Sequence, residues 1–394
     1  MNLKDSKSLP DNIIAGHISA LPKSGIRDFF ELVNQMDDVI SLGIGEPDFP
    51  TPWHIREAAV YSLEKGHTSY TSNLGLLCLR EKICDYVQSY YDISYNPVNQ
   101  CIITVGVSEG LDLLFRALIN PGDEIIYHEP CYVSYAPGIK MAHGVPVVVP
   151  TFEKNNFALD PEDLRKAITP KTKAILLNFP CNPTGATLNS EQIIQIAQIA
   201  VEYNLLVITD EIYSELVYEK THVSIASLPG MKERTVFLHG FSKAYSMTGF
   251  RIAYACGPEK IIDAMMKIHQ YSMLCAPIIA QEAAEEALVN GRKEMLKMRE
   301  EYRERRNVIT SRLNDMGLHC FKPEGAFYVF PNISKTNLSS SDFAMLLLKK
   351  YKIAVVPGTA FGYCGEGFIR CAYAASIDDI NKAMDGIEDF ISSL

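Results

Sequence analysis

An α/β fold, with a mostly parallel central sheet in a large domain and a smaller α+β domain beside it, is predicted by three observations. Short apolar runs without polar alternation recur through the middle of the chain, the pattern of strands buried on both faces. Amphipathic segments long enough to cross back between parallel strands lie among them. Polar residues fall at the carboxyl ends of the runs, where open α/β sheets bind their ligands.

The elements follow in order. Thr51-Pro52 reads as a cap with proline at the first helical position, Ile55, Ala58, Ala59 and Leu63 recur at helical spacing, and Gly66 closes the helix. The apolar runs are 124–127, 174–177, 205–209, 236–238 and 252–255, and 190–203 is a crossover helix. Asn178 follows one run, Asp210 the next and Ser242-Lys243 the one after, which converts scattered polar residues into one pocket. A long charged helix over 293–316 leads to the segment 325–330, a helix from Ser341 and a strand at 353–356. The expected division is a large domain over 46–290 and a small domain made of 1–45 with 291–394.

Composition agrees. The 394 residues are 47% hydrophobic and 21% charged, an ordinary globular balance without linker-like or repetitive stretches. That length exceeds one simple core, hence two domains. A net charge of −10 argues against nucleic acid and anionic membrane as partners. The basic stretch 299–306 interleaves glutamates with its arginines and reads as a solvated helix face. The first twelve residues lack the apolar centre of a secretion signal, and no stretch reaches the roughly 20 apolar residues of a membrane span, so a cytoplasmic protein is expected. Ten cysteines without CxxC pairs are read as reduced thiols; neither a disulfide framework nor a metal site is expected.

Six segments carry chemistry. The strand before Asn178 ends in Pro180-Cys-Asn182-Pro183-Thr184-Gly185, which reads either as a plain turn or as an amide held at a strand end for an oxyanion. Asp210 ends the next strand with Tyr213 three residues on; it is a helix cap or a buried carboxylate able to keep a pyridine nitrogen protonated. A protonated pyridine is the electron sink that a carbanion beside an amino group requires. Lys243 sits beside Ser242 and eight residues before Arg251, as suits a Schiff-base lysine with a phosphate dianion nearby. Ser108 stands where a helix begins, as its cap or as part of an anion site with the Val107 backbone. Tyr132 offers an aromatic face, and Arg370, inside an apolar run, pairs with a structural carboxylate or with a substrate's.

In this order the segments resemble the fold-type I pyridoxal-phosphate enzymes, specifically the class I/II aminotransferases, and most of all the aromatic-amino-acid and aspartate aminotransferase subgroup. The resemblance starts at Ser41-Leu-Gly-Ile-Gly45-Glu-Pro-Asp-Phe and at Tyr70, Gly75 and Leu79-Arg80, and it ends at Arg370. It implies pyridoxal 5′-phosphate as cofactor and a ping-pong exchange of an amino group between an L-amino acid and a 2-oxo acid, within amino-acid metabolism. Lys243 is then the catalytic lysine that carries the cofactor and shuttles the proton. Asp210 pairs with the pyridinium, and Asn182 and Tyr213 bind the ring oxygen. Val107, Ser108, Ser242 and Arg251 hold the phosphate, and Tyr132 stacks on the ring. Arg370, Gly45 and Asn182 bind the substrate. Tyr70 reaches the phosphate of a neighbouring subunit, which implies a homodimer with shared active sites. The segment 22–27 resembles one that folds over the substrate.

Two departures bear on substrate. Relatives that bind a distal carboxylate place a lysine at the position of Ser108 or supply an arginine from the neighbouring subunit's region 271–281, and this chain has neither. Tyrosine and phenylalanine are therefore the expected donors, 2-oxoglutarate the acceptor, and Arg27 or the N-terminal segment the receiver of the acceptor's distal carboxylate. An aspartate or other aminotransferase, a C–S lyase using the same cofactor, and a non-catalytic regulator are the alternatives. The last needs a DNA-binding module that the forty residues before Gly43 are too few and too little basic to supply.

Overall fold

The computed structural model describes residues 13–21, 33 and 35–394. Its centre is a seven-stranded sheet of β2 (Cys101–Thr104), β3 (Glu124–Glu129), β4 (Val145–Pro150), β5 (Thr172–Leu177), β6 (Leu206–Asp210), β7 (Thr235–Gly240) and β8 (Ala253–Cys256), after a short β1 (Ile40–Ser41) that belongs elsewhere. The spatial order is β2-β8-β7-β6-β5-β3-β4. Pairs from β7 to β4 are parallel, and β8 runs antiparallel to both β7 and β2.

Every predicted run is a strand, and each is buried for the predicted reason. Ala174 and Leu176 pack into the hydrophobic cluster on one face of the sheet, Ile175 and Leu177 into the cluster on the other. β7 repeats this with Val236 and Leu238 on one side and Phe237 on the opposite side. The two strands absent from the sequence reading, β2 and β4, are the sheet's edges. The prolines of Val145–Pro150 weaken a strand signal and are tolerated because an edge need not donate to a second neighbour.

Helices cover both faces. Those that matter for the site are α1 (Trp53–Glu64), α2 (Leu77–Tyr91), α3 (Val107–Leu118), α4 (Tyr135–Met141) and α5 (Pro161–Ala167), then α6 (Ser190–Glu202). α6 is the expected crossover, begun by a reciprocal capping pair between Asn189 and Gln192. α7 (Glu259–Ser272), α8 (Ile278–Asn290), α9 (Arg292–Asp315), α10 (Ser340–Tyr351) and α11 (Ile377–Ser392) complete the chain.

Three local readings are corrected. Thr51 does not cap α1. Pro52 occupies that position, and the Thr51 hydroxyl donates to the Ser246 carbonyl at 2.6 Å instead, tying the helix start to the segment after Lys243. Within 299–306 the glutamates 300, 301 and 304 face solvent, but Arg305 and Arg306 turn inward. Arg305 pairs with Asp48 at 2.8 Å, and the wholly buried Arg306 pairs with Glu219 and donates to the Pro323 carbonyl at 2.9 Å. A charge run longer than one helical turn straddles both faces, so composition alone could not place it outside. The strand expected at 353–356 is split: β10 (Ile353–Ala354) pairs in parallel with β1, whereas β11 (Val356–Pro357) pairs with β12 (Ile369–Ala372). β9 (Tyr328–Val329) lies on the other side of β12. Through β1 the early chain joins the C-terminal part, as the sequence suggested.

Candidate active site

The carboxyl ends of β5, β6 and β7 open onto a cavity of about 530 Å³. Val107, Ser108, Tyr132, Asn182, Asp210, Tyr213, Ser242, Lys243, Arg251, Gly45 and Arg370 all line it, so the sequence-predicted site residues converge. Tyr70 does not, being 83% exposed. The segment 22–27, with Arg27, lies outside the described residues.

At one end of the cavity is an anion cradle. Gly106, at φ +81°, turns the chain into α3, whose first N–H groups have no partner within the helix. Gly106 rather than Ser108 occupies the cap position, which leaves the Ser108 hydroxyl exposed toward the cavity. The Arg251 guanidinium packs so closely here that a Cβ at Gly106 would lie 2.6 Å from its Nη2. Ser242 completes this end of the lining.

The same cavity holds a buried carboxylate. Asp210 Oδ2 accepts from the Tyr135 hydroxyl at 2.8 Å and Oδ1 from the Ile212 N–H at 3.2 Å. Burial nevertheless pushes its carboxyl up to about 6, because desolvation outweighs the two donors. Asn178 braces the same corner, donating to the Asp210 carbonyl at 3.0 Å and accepting from the Asn182 N–H at 3.1 Å. Within the 178–185 turn the Asn178 amide is thus fixed at both its oxygen and its nitrogen.

Lys243 lines the same cavity, its Nζ donating to the Gly45 carbonyl at 2.6 Å. Burial first, then the Arg370 and Arg251 charges, lower its ammonium to about 8, against the pull of Glu46. An amine in that range exchanges a proton near neutral pH.

Arg370 is buried, and among the described residues no carboxylate pairs with it. Its Nη1 donates to Asn182 Oδ1 at 2.9 Å and its Nη2 to the Gly43 carbonyl at 2.6 Å, while Nε is buried without a partner. The guanidinium carbon lies 4.5 Å from the Tyr328 ring centre and 4.8 Å from that of Phe361.

The sequence comparisons agree with this geometry. The family model for aminotransferases of class I and II matches residues 37–387. The chain is 45% identical to an aspartate aminotransferase of Pyrococcus abyssi, over 93% of this chain and 95% of that one. It is 42% identical to aromatic-amino-acid aminotransferase 2 of Thermococcus litoralis, over 95% and 97% respectively. The crystal structure of an aromatic aminotransferase from Pyrococcus horikoshii superposes with a TM-score of 0.89 at 43% identity, covering 93% of this chain and 99% of that one. The chain belongs to the class I and II aminotransferases. It is a transaminase of the fold-type I α/β architecture, acts on amino and 2-oxo acids, and takes pyridoxal phosphate as cofactor.

Two residues of this aminotransferase site had no sequence signal. Tyr135 touches Asp210, 75 positions away, and Tyr328 touches Tyr213, 115 positions away, with the two phenol oxygens 2.7 Å apart. Tyr135 lies three residues after the Tyr132 that was singled out, and Tyr328 lies inside an apolar run where a phenol reads as core. Glu46 also lines the cavity, next to Gly45. Among the described residues the ten cysteines are free, no group of side chains could hold a metal, and no helix is long and apolar enough to cross a membrane.

Proposed function

We propose that this aminotransferase takes tyrosine and phenylalanine as amino donors and 2-oxoglutarate as acceptor. The observation that carries the reading is the tally of cations along the described cavity wall. Lys243, Arg251 and Arg370 are the ones present, and each already has a task. A second carboxylate held against this wall would be buried without a partner, at a cost of several kcal/mol, which argues against a dicarboxylic donor; the distal carboxylate of 2-oxoglutarate would be received by Arg27 or the N-terminal segment, which lie outside the described residues. Ile44, Tyr132 and Tyr328 instead offer apolar surface. Relatives named for aspartate and for aromatic amino acids are about equally similar, so pocket chemistry and not likeness supports the choice.

The residues divide the work as follows. The cradle of Val107, Ser108, Ser242 and Arg251 would hold a phosphate dianion, and Asp210, buried and raised toward neutrality, would pair with a cationic ring nitrogen. When bound, pyridoxal phosphate supplies an aldehyde for linkage to an amine and an electron sink for the bond that breaks. Tyr132 covers the ring, and Asn182 and Tyr213 hold its oxygen. Lys243 carries the cofactor and moves the proton at the substrate's α-carbon. Arg370, with Gly45 and Asn182 beside it, binds the α-carboxylate through the guanidinium fork.

The rest of the reading concerns organisation. A homodimer, with Tyr70 completing the neighbour's phosphate site, is supported by the exposed side chains of Trp53, Tyr61 and Leu63 on α1 and by Tyr271, 88% exposed. The division into 46–290 and 1–45 with 291–394 follows the sheets, since the seven-stranded sheet lies inside the first range and the β1–β10 and β11–β12–β9 pairings inside the second. Free cysteines are in keeping with a cytoplasmic enzyme of amino-acid metabolism. The deciding experiment measures kcat/KM for a panel of donors with 2-oxoglutarate. Tyrosine and phenylalanine should lead, and aspartate exceeding both by tenfold would overturn the assignment.

A further inference from the structure

We infer that Tyr328 is a positioning residue with two separable effects: its hydroxyl fixes the proton of Tyr213, and its ring orients the guanidinium of Arg370. The inference rests on the reading of Tyr213 and Arg370 given above and adds a residue to it.

The geometry is specific. Tyr328 is fully buried on β9 and forms part of the cavity wall. Its Oη lies 2.7 Å from that of Tyr213, so one of the two phenols donates to the other. A Cβ on Gly45 would lie 2.7 Å from the same Oη, so the glycine leaves room for this phenol. Burial raises both phenols above their usual range, and each therefore keeps its proton at neutral pH. Tyr213 has one proton to give. If it is donated to the cofactor's ring oxygen, Tyr328 must be the donor in the phenol pair, and the two bonds form a short chain in which each strengthens the next.

The ring acts on a different group. With both Nη atoms engaged by Asn182 and Gly43, the plane of Arg370 is held further by the aromatic faces of Tyr328 and Phe361. Phenylalanine in place of Tyr328 removes the first effect and keeps the second; leucine removes both. Arg370, Asp210, Lys243 and Glu46 are the charged groups around the pair, and neither substitution alters them.

The test uses the holoenzyme and follows the cofactor's visible absorption against pH. A hydrogen bond donated to the ring oxygen stabilises negative charge there, so weakening it raises the proton affinity of the lysine-linked cofactor. Tyr328→Phe should move the absorption midpoint up by about half a pH unit, the size of one modest hydrogen bond. KM for amino and oxo acids should stay within about twofold. Tyr328→Leu should in addition raise both KM values by about fivefold, as loss of one cation–π face predicts. Tyr213→Phe should shift the midpoint at least as far, and adding Tyr328→Phe to it should change nothing more. A Tyr328→Phe enzyme with an unmoved midpoint, beside a Tyr213→Phe enzyme that shifts, overturns the inference and leaves the role of Tyr213 standing. Equal shifts from Tyr328→Phe with and without Tyr213 also overturn it. No shift from either variant removes both.

Discussion

The two halves of the cavity are built differently. The half with Asp210, Asn182 and Lys243 hangs from three adjacent parallel strands in register, Leu177 opposite Thr209 and Asp210 opposite Leu238. The half with Arg370 belongs to β12, in a small sheet whose other strands are only two residues long, and reaches the first half through Gly43, Gly45 and Asn182. Burial acts on both halves with different outcomes. It raises Asp210 to about 6 and lowers Lys243 to about 8, bringing both close to neutral pH, where protons are exchanged. Arg370 is also lowered by burial, but from so high a starting value that its charge persists. One half is equipped to move protons and the other to present a permanent charge.

Substitutions can break that division, and the largest effect is expected from Lys243. Lys243→Ala should lower turnover by about 10⁴-fold, the upper range for loss of a general acid–base group, and borohydride should fix the cofactor of the native enzyme on Lys243. A reduced adduct mapped to another lysine would remove the proton-moving role from this half. Asp210→Ala should keep the cofactor, held by the phosphate cradle, and lose about 10³-fold in kcat, on the scale of a missing electrostatic stabiliser. Arg370→Ala should keep the cofactor bound and cost about 10²-fold in kcat/KM for amino and oxo acids alike. If kcat fell with KM unchanged, the permanent charge would be serving the reaction step and the two halves would not be distinct.

The same contrast governs what the sequence could reveal. Asp210 was legible because it ends a buried strand, and Asn182 and Lys243 because they lie in the turns just beyond two neighbouring ones; the ends of neighbouring parallel strands must meet. Arg370 was legible as an arginine in an apolar run, but its partners were not, since Gly43 comes from a segment paired to β10 and β10 was read as continuous with β11. Tyr328 was invisible as a site residue because an apolar run containing a phenol looks the same whether the hydroxyl meets a catalytic group or a core neighbour, and Tyr135 because a phenol at the start of a helix carries no sign of a carboxylate 75 positions away. Arg305 and Arg306 failed for the complementary reason: a charged sequence shows no sign of Asp48 or Glu219 until the chain is folded. The expectation for Arg27 lies outside the described residues and remains a matter for the donor panel.

The smallest effect sharpens the comparison without any substrate. In the apoprotein Asp210 titrates at about 6 folded, against 3.8 for an ordinary aspartate, so between these values the folded state binds more protons than the unfolded one. Stability must then fall as pH rises from about 4 through 6 and level off above, because folding has to bury a carboxylate that water would rather keep charged. The full difference is about 3 kcal/mol, two pKa units at about 1.4 kcal/mol each. Urea unfolding of the apoprotein at pH 4, 5, 6 and 7, repeated with Asp210→Asn, isolates the contribution, since asparagine cannot titrate. The native-minus-variant stability should decline by roughly that amount across the series. Arg370→Met supplies the contrast from the other half: its charge does not titrate in this range, so its difference from the native apoprotein should be flat with pH. A flat Asp210 difference would mean that Tyr135 and the Ile212 N–H fully offset the desolvation, and the carboxylate would then be as permanent a charge as Arg370.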